Sequence, residues 1–350
     1  MKNLIYIITL ICFFSVSNEI YADNDPAANA TLHPSVIPPS PTAGELGKYG
    51  NIPVSLATGT PNISIPLYAI SSKEINLPIY LSYNSNGIKV DQVASWVGMG
   101  WSLNAGGVIT RTIRGGDDET SHSYKVPDNL DIYCYGTYWF LRNCWADTTD
   151  TEPDIFNYNF DGYSGKFIID PNNFAKIYSI PYNNLKIEIN FDTINYVGLK
   201  SFIITTPEGV KYLFGDEYIE TTREILLGCA ECVINRTQKR NMKTAWYLKR
   251  IDYPTGEYIN FYYDSNLLNY YSGIRQTIRR LVYESYSECE CELGSEGVCE
   301  EKLRNGTLHL KAISSSAKDS IAFSSSKGRL DLNDYKLDSI SIFNSNMIGF

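Results

Sequence analysis

From residue 52 onward, apolar and polar side chains alternate with a period of two, and this restricts the fold more than any other feature of the chain. In LKIEINF, Ile187, Ile189 and Phe191 alternate with Lys186, Glu188 and Asn190. Val210, Tyr212 and Phe214 do the same in GVKYLFG, and so do Ile259, Phe261 and Tyr263 in EYINFYYD. Ile63, Ile65, Leu67 and Ala69 form such a set in NISIPLYAI, and Leu308, Leu310 and Ala312 form another in TLHLKAI. Successive side chains of a strand point to opposite faces, so each run builds one buried face and one wet face. The expected fold is mostly β: antiparallel sheets and hairpins in a sandwich-like or open β-shell arrangement, with little helix. The 27 tyrosines suit half-buried strands. Only GIRQTIRRLVYES offers helical spacing, at Ile274, Ile278 and Leu281, and its β-branched residues fit a strand equally well.

Four segments follow from composition. Residues 1–22 carry a basic start at Lys2, an apolar run from Leu4 to Val16 and a polar end at Ala22, the layout of a secretory signal peptide. That run is too short to span a bilayer comfortably, so an exported protein, secreted or at the cell surface, is expected, with no membrane span once the signal is removed. Residues 23–46 are rich in Pro, Ala and Ser and read as an extended linker. Residues 47–130 form an N-terminal β region with a glycine and tryptophan corner, and 131–350 a hairpin-rich region. In the latter a glycine turn followed by an aromatic strand recurs at Gly165, Gly209 and Gly256, with looser echoes at Gly306 and Gly328.

Beyond the signal lie seven cysteines: Cys134, Cys144, Cys229, Cys232, Cys289, Cys291 and Cys299. In an oxidising compartment they read as disulfide partners, with Cys134 and Cys144 able to close a hairpin loop, and the odd count leaves one thiol over. The last five invite a zinc reading, but the C-x-C spacing is tighter than a zinc ribbon half and the export setting favours oxidation. A redox role for Cys229 and Cys232 lacks the surrounding βαβ pattern.

The net charge of −9, with no sustained Lys/Arg stripe, excludes the counterion-release chemistry of a nucleic-acid binder. Three histidines are available: His33 in the linker, His122 in a polar stretch, and His309 on the expected wet face of a strand. None offers the rigid base that a nucleophilic triad requires. Ser164 in GYSGK resembles a nucleophile elbow only superficially. Asp117, Asp118 and Glu119 follow a Gly-Gly pair and could offer oxygen ligands to calcium, but without the alternating spacing of a calcium loop a solvated turn is the expectation. Tyr138 and Trp139 could stack on sugar rings, although packing beneath the Cys134 to Cys144 loop accounts for them as well. In the stretch GIKVDQVASWVGMGWSLNAGGVITRTIRGG, Gly98, Gly100, Gly106 and Gly107 let strands bend and approach, with Trp96 and Trp101 covering the gaps. Arg111 and Arg114 would face an anion if this were a groove; a packed sheet corner is the plainer reading. The residues give no cofactor site and no reaction centre.

The same stretch resembles the N-terminal region of secreted RHS (YD-repeat) proteins of Bacteroidetes type. The words that carry the resemblance are GTPNISIPLY, LPIYLSYNSNGIKVDQVASWVGMGWSLNAGGVITR, PDIFNYNFDGYSGKFIID, TPEGVKYLFG and TAWYLKRIDYPTGEYINFYYD, which span most of residues 47 to 264. The resemblance implies a toxin-associated scaffold, with a downstream RHS repeat shell or effector as partner and the region after residue 130 YD-repeat-like. The chain closes inside an alternating strand, SISIFNSNMIGF, which reads as a truncated remnant. The alternative function is a cell-surface carbohydrate-binding or adhesion module, with a surface glycan as partner.

Overall fold

The computed structural model describes residues 54–85, 87, 89–90, 92–114, 117–119, 133, 135–145, 152–170, 173–192, 198–227, 241–277 and 297–343. The fold is mostly β and antiparallel, as the alternation requires. Strands β1 (Ile63–Ser71), β2 (Asn76–Tyr83) and β3 (Trp101–Asn104) form one sheet in that order. The other sheet has twelve strands: β4 (Gly107–Thr112), β5 (Ile155–Phe160), β6 (Tyr163–Asp170), β7 (Asn173–Ile180), β8 (Lys186–Asp192), β9 (Gly198–Thr205), β10 (Lys211–Leu227), β11 (Met242–Asp252), β12 (Tyr258–Thr277), β13 (Gly297–Ser315), β14 (Ser320–Lys327) and β15 (Tyr335–Phe343). Among the described residues one helix, α1 (Tyr135–Trp145), lies between β4 and β5 in the chain. β4 pairs with β5 and with β11, so hydrogen bonding crosses the boundary expected at residue 130.

The large sheet closes locally on itself. β11 pairs with β12, β12 with β13, β13 with β10, and β10 again with β11. Two irregularities make this ring possible. After Phe214 the β10–β11 register slips to Ile219, and in the resulting bulge Gly215 and Asp216 both adopt positive φ, at 85° and 65°. The bulge takes β10 from β9 on one side to β13 on the other. On β11, residues 250–252 pair with β12 whereas residues 245–247 pair with β4, so the sheet forks.

The core lies under these strands. Trp246 is fully buried and meets Phe202 edge to face at 5.1 Å and Phe156 at 5.9 Å, while Phe156 stacks on Phe167 at 5.0 Å. Buried aromatic side chains of this size supply most of the hydrophobic stabilisation, at about 25 cal/mol per Å² removed from water.

The recurrent glycine turn is a single loop type. In Thr206 to Val210 the Thr206 N–H donates to the Val210 carbonyl and the Gly209 N–H to the Thr206 carbonyl. Tyr253 to Glu257 repeats both bonds, with Gly256 in the glycine position. Each glycine has a positive φ, 86° and 89°. A third copy runs from Ser315 to Asp319, where Lys318 occupies the glycine position at φ 69° and motif reading misses it. Gly165 is not a turn glycine: it lies inside β6, and the preceding reversal is Asp161–Gly162, both at positive φ. Gly306 also lies within a strand, β13. A side chain held in the left-handed region costs about 1 kcal/mol relative to glycine. Lys318→Gly should therefore raise the urea midpoint by about that free energy, and Gly209→Ala should lower it; equal midpoints for both variants and the parent would contradict the shared loop geometry.

Candidate functional site

The glycine and tryptophan stretch crosses from one sheet to the other. β3 ends the small sheet at Asn104, and two residues later β4 begins in the large one. Gly107 lies so close to Phe160 that a Cβ there would overlap the Phe160 side chain, and a Cβ on Gly106 would lie 3.3 Å from Phe261. Gly98 and Gly100 have φ of 123° and 75°, and Ser95 Oγ donates to the Trp101 carbonyl, closing a compact turn. Trp101 packs on Tyr83 at 5.1 Å. Trp96 does something else. It accepts a hydrogen bond from the Leu337 N–H of β15, and its ring lies 5.3 Å from that of His309.

His309 is buried, contrary to its expected position on a wet face. Trp96 and Tyr335, both from outside β13, cover His309, so alternation there does not separate core from solvent. The His309 ring sits between Trp96 and Tyr335, with Nε2 2.8 Å from Asp334 Oδ1. Asn266 Nδ2 donates to the same oxygen at 2.8 Å. Burial favours the neutral acid, but the bonds from His309 and Asn266 outweigh it and hold the Asp334 carboxyl below its ordinary range.

Trp96, His309 and Asp334 line a partly open cleft of about 510 Å³, with Glu220 from β10, Tyr247 from β11 and Asn305 from β13. All four strands of the closed ring contribute to its wall, β12 through Tyr263 and Tyr270. Glu220 accepts a hydrogen bond from the Tyr247 hydroxyl at 3.1 Å. Burial pushes the Glu220 carboxyl above its ordinary value, and burial beside Glu220 pushes the Tyr247 phenol up as well. Asn305 Oδ1 is buried and has no hydrogen-bond partner among the described residues. Sequence reading missed this constellation because its members come from segments separated by up to 238 positions, Trp96 to Asp334. Only the buried polar alternation of Asn305, Thr307 and His309 on one face of β13 could have signalled it.

The other singled-out residues fall elsewhere. Arg111 does face anions, but they belong to the chain. Its guanidinium pairs with Glu119 and Asp154, and all three side chains are almost wholly buried. The Asp-Asp-Glu turn is therefore not simply solvated: Glu119 closes on Arg111, and the Asp118 N–H donates to Asp154 at 3.3 Å. Burial alone would lower the Arg111 pKa, yet Glu119 and Asp154 raise it. Burial raises the Asp154 carboxyl, and four donors that converge on it, two from Arg111 and the N–H groups of Arg114 and Asp118, act in the opposite direction. Arg114 makes an exposed pair with Glu152 at 3.2 Å.

Tyr138 and Trp139 lie on α1, where a hairpin loop was the expectation, and both are exposed. Cys144 is on the same helix with a free thiol. Cys134, Cys229, Cys232, Cys289 and Cys291 lie outside the described residues, as do His33 and His122, and Cys299 falls on β13. Ser164 sits in β6, opposite Asn159 of β5. Among the described residues no group of three or more His, Cys, Asp or Glu is placed to hold a metal ion, and no helix is long and apolar enough to cross a membrane.

No family model matches the sequence, and no curated protein matches it. Among solved structures the chain is similar to TcdB2-TccC3, with 12% identity over 80% of this chain and a TM-score of 0.35. It is also similar to the N-terminal domain of effector protein SpvB from Salmonella typhimurium strain LT2, with 11% identity over 75% of this chain and 72% of that one and a TM-score of 0.32. A third is the Photorhabdus luminescens Tc holotoxin pore, with 12% identity over 77% of this chain and 11% of that one and a TM-score of 0.31. The chain spans 12% of the length of TcdB2-TccC3. A likeness at this level bears on neither activity nor partners.

Proposed function

We propose that this chain is a non-catalytic, exported β scaffold, the N-terminal part of an RHS/YD-repeat surface or secreted protein of the toxin-delivery type. The observation that carries the reading is the edge of the large sheet. β15 pairs with β14 alone among the described strands and leaves Ile342 and Phe343 exposed, Phe343 by 58%. A nine-residue edge strand that ends in two exposed apolar side chains is a template for another strand. The first hairpin of a repeat shell would cover it. The sequence words shared with RHS proteins support the same reading, since the longest of them supplies β2, β3 and β4 and thus the crossing between the two sheets.

Hydrogen exchange tests this. In the chain alone the outward amides of β15 other than that of Leu337, which donates to the Trp96 carbonyl, should exchange quickly; in a chain extended by RHS hairpins they should be protected. Slow exchange in the isolated monomer, or no added protection in the extended chain, would count against the scaffold.

The alternative, a surface carbohydrate-binding or adhesion module, draws on α1. Trp139 there packs edge to face with Tyr135 and Tyr138, and Arg142 lies 4.7 Å from its ring centre. Retention of a defined glycan by the purified chain, lost in Trp139→Ala, would favour this module over the scaffold.

A further inference from the structure

The four-strand ring forms one wall of the cleft, and the groups that face it are more acidic than basic. Asp161, Glu220 and Asp334 line the cleft with Arg329 and the His309 ring. Arg329 is already engaged: it pairs with Asp331 at 2.6 Å, lies 3.8 Å from Asp334 and donates to the Ala94 carbonyl. Asp334 is satisfied by His309 and Asn266, and Asp161 accepts from the Tyr212 hydroxyl at 2.6 Å.

Two acceptors remain open. Glu220 receives only the Tyr247 hydroxyl and has no cationic side chain within ion-pair distance among the described residues. Asn305 Oδ1 is buried and unpartnered. Such groups cost folding free energy unless something satisfies them, and a carboxylate costs more than an amide. The remaining wall is apolar and includes the rings of Trp96, Tyr247 and Tyr270, and aromatic faces attract a cation once water is excluded. Open acceptors, unbalanced negative charge and ring faces describe a receptor for positively charged N–H donors. A neutral sugar would satisfy the acceptors but leave the charge unbalanced.

We propose that the cleft binds a small organic cation, a primary alkylammonium, whose ammonium donates to Glu220 and Asn305 and whose alkyl chain lies against Trp96. Glu220 and Asn305 lie on neighbouring strands: Thr222, two residues from Glu220 on β10, pairs directly with Asn305. One ammonium, with three donors, can reach both.

The test is calorimetric titration of the full chain with cadaverine, in about 0.15 M salt so that surface carboxylates are screened. 1-Pentanol and glucose serve as the neutral probes. Cadaverine should bind saturably and the neutral probes should not. Glu220→Gln should weaken cadaverine about tenfold or more, and Asn305→Leu by about fivefold, the scale of losing one charged and one neutral hydrogen bond. Glu220→Gln removes a buried charge while leaving an acceptor for Tyr247, so its melting temperature should be no lower than the parent's, and lost binding would not reflect lost folding. If that variant fails to fold, Asn305→Leu carries the test. No saturable cadaverine binding, affinity unchanged in the variants, or preference for glucose would overturn the proposal. The β15 edge plays no part in this titration, so its failure leaves the scaffold reading standing, and the converse holds.

Discussion

Replacing Arg111 by methionine should cost about 3–5 kcal/mol of folding stability, one of the two largest losses expected from a single substitution in this chain. The guanidinium is the common partner of Glu119 and Asp154, and the side chains of all three are no more than 4% exposed. Removing it leaves two carboxylates buried without a counterion, whereas removing the whole triad would leave an apolar pocket. Arg111→Lys should recover only part of the loss, because an ammonium cannot present the fork that engages both carboxylates. The pH dependence distinguishes this from a simple packing defect. Without the guanidinium, burial raises the folded-state pKa of Asp154 further above its unfolded value. The folded variant then binds its proton more tightly than the unfolded chain. Its relative stability is best below the unfolded pKa of about 4 and is lost as pH rises through the folded one. The stability gap between Arg111→Met and parent, from urea melts at successive pH values, should therefore narrow toward pH 4. A gap independent of pH, or one below about 1 kcal/mol at neutral pH, would show that the triad is not what holds the β4 end and the β5 entry together.

That triad illustrates how far the sequence could be read. Strands β8, β10 and β12 follow the alternation as written: Ile187 and Ile189 turn inward from Lys186 and Glu188, Tyr212 and Phe214 are buried, and so are Ile259 and Phe261. β1 does not follow it. A register shift between Pro66 and Tyr68 changes the phase, so Ile65 and Ala69 face solvent and Ile70 is buried. β13 breaks the rule for a different reason, since Trp96, Asp334 and Tyr335, from distant parts of the chain, close over His309. Bulges and closure are set by contacts between distant segments, and period counting along one strand cannot see them. Helix α1 escaped notice because YGTYWFLRNCW has no clear apolar stripe at helical spacing and exposes several aromatic rings. The cleft is hidden more deeply still. No two of Trp96, Glu220, Tyr247 and Asn305 come from the same strand, and only the completed pairing scheme places them together.

Gly215→Ala tests that pairing scheme at its pivot, and it should cost about 2–5 kcal/mol. Two penalties add. At φ 85° the backbone is in the left-handed region, which costs an alanine about 1–2 kcal/mol. Its Cβ would lie 2.5 Å from Trp246 Cδ1 and 2.8 Å from the Lys200 carbonyl oxygen, so something packed must move, at about 1–3 kcal/mol. Neither neighbour can give way cheaply: Lys200 O is backbone of β9, and Trp246 is fixed by Phe156 and Phe202. The next residue of the bulge, Asp216, is held by Lys249 and Lys200, and hydrogen bonding to Lys249 lowers its carboxyl to about 2. The bulge therefore cannot relax by swinging outward. Trp246→Val supplies the control, because it removes Cδ1, the atom that the new methyl would strike, and with it an indole N–H that has no partner among the described residues. In the double variant part of the Gly215→Ala loss should vanish, a coupling of about 1 kcal/mol or more. The strain at φ 85° and the clash with Lys200 remain, so rescue should be incomplete. Strictly additive losses would mean that the bulge does not press on Trp246. A Gly215→Ala protein as stable as its parent would mean that β10 does not turn there, and the ring of four strands that contributes to the cleft wall would lose its foundation.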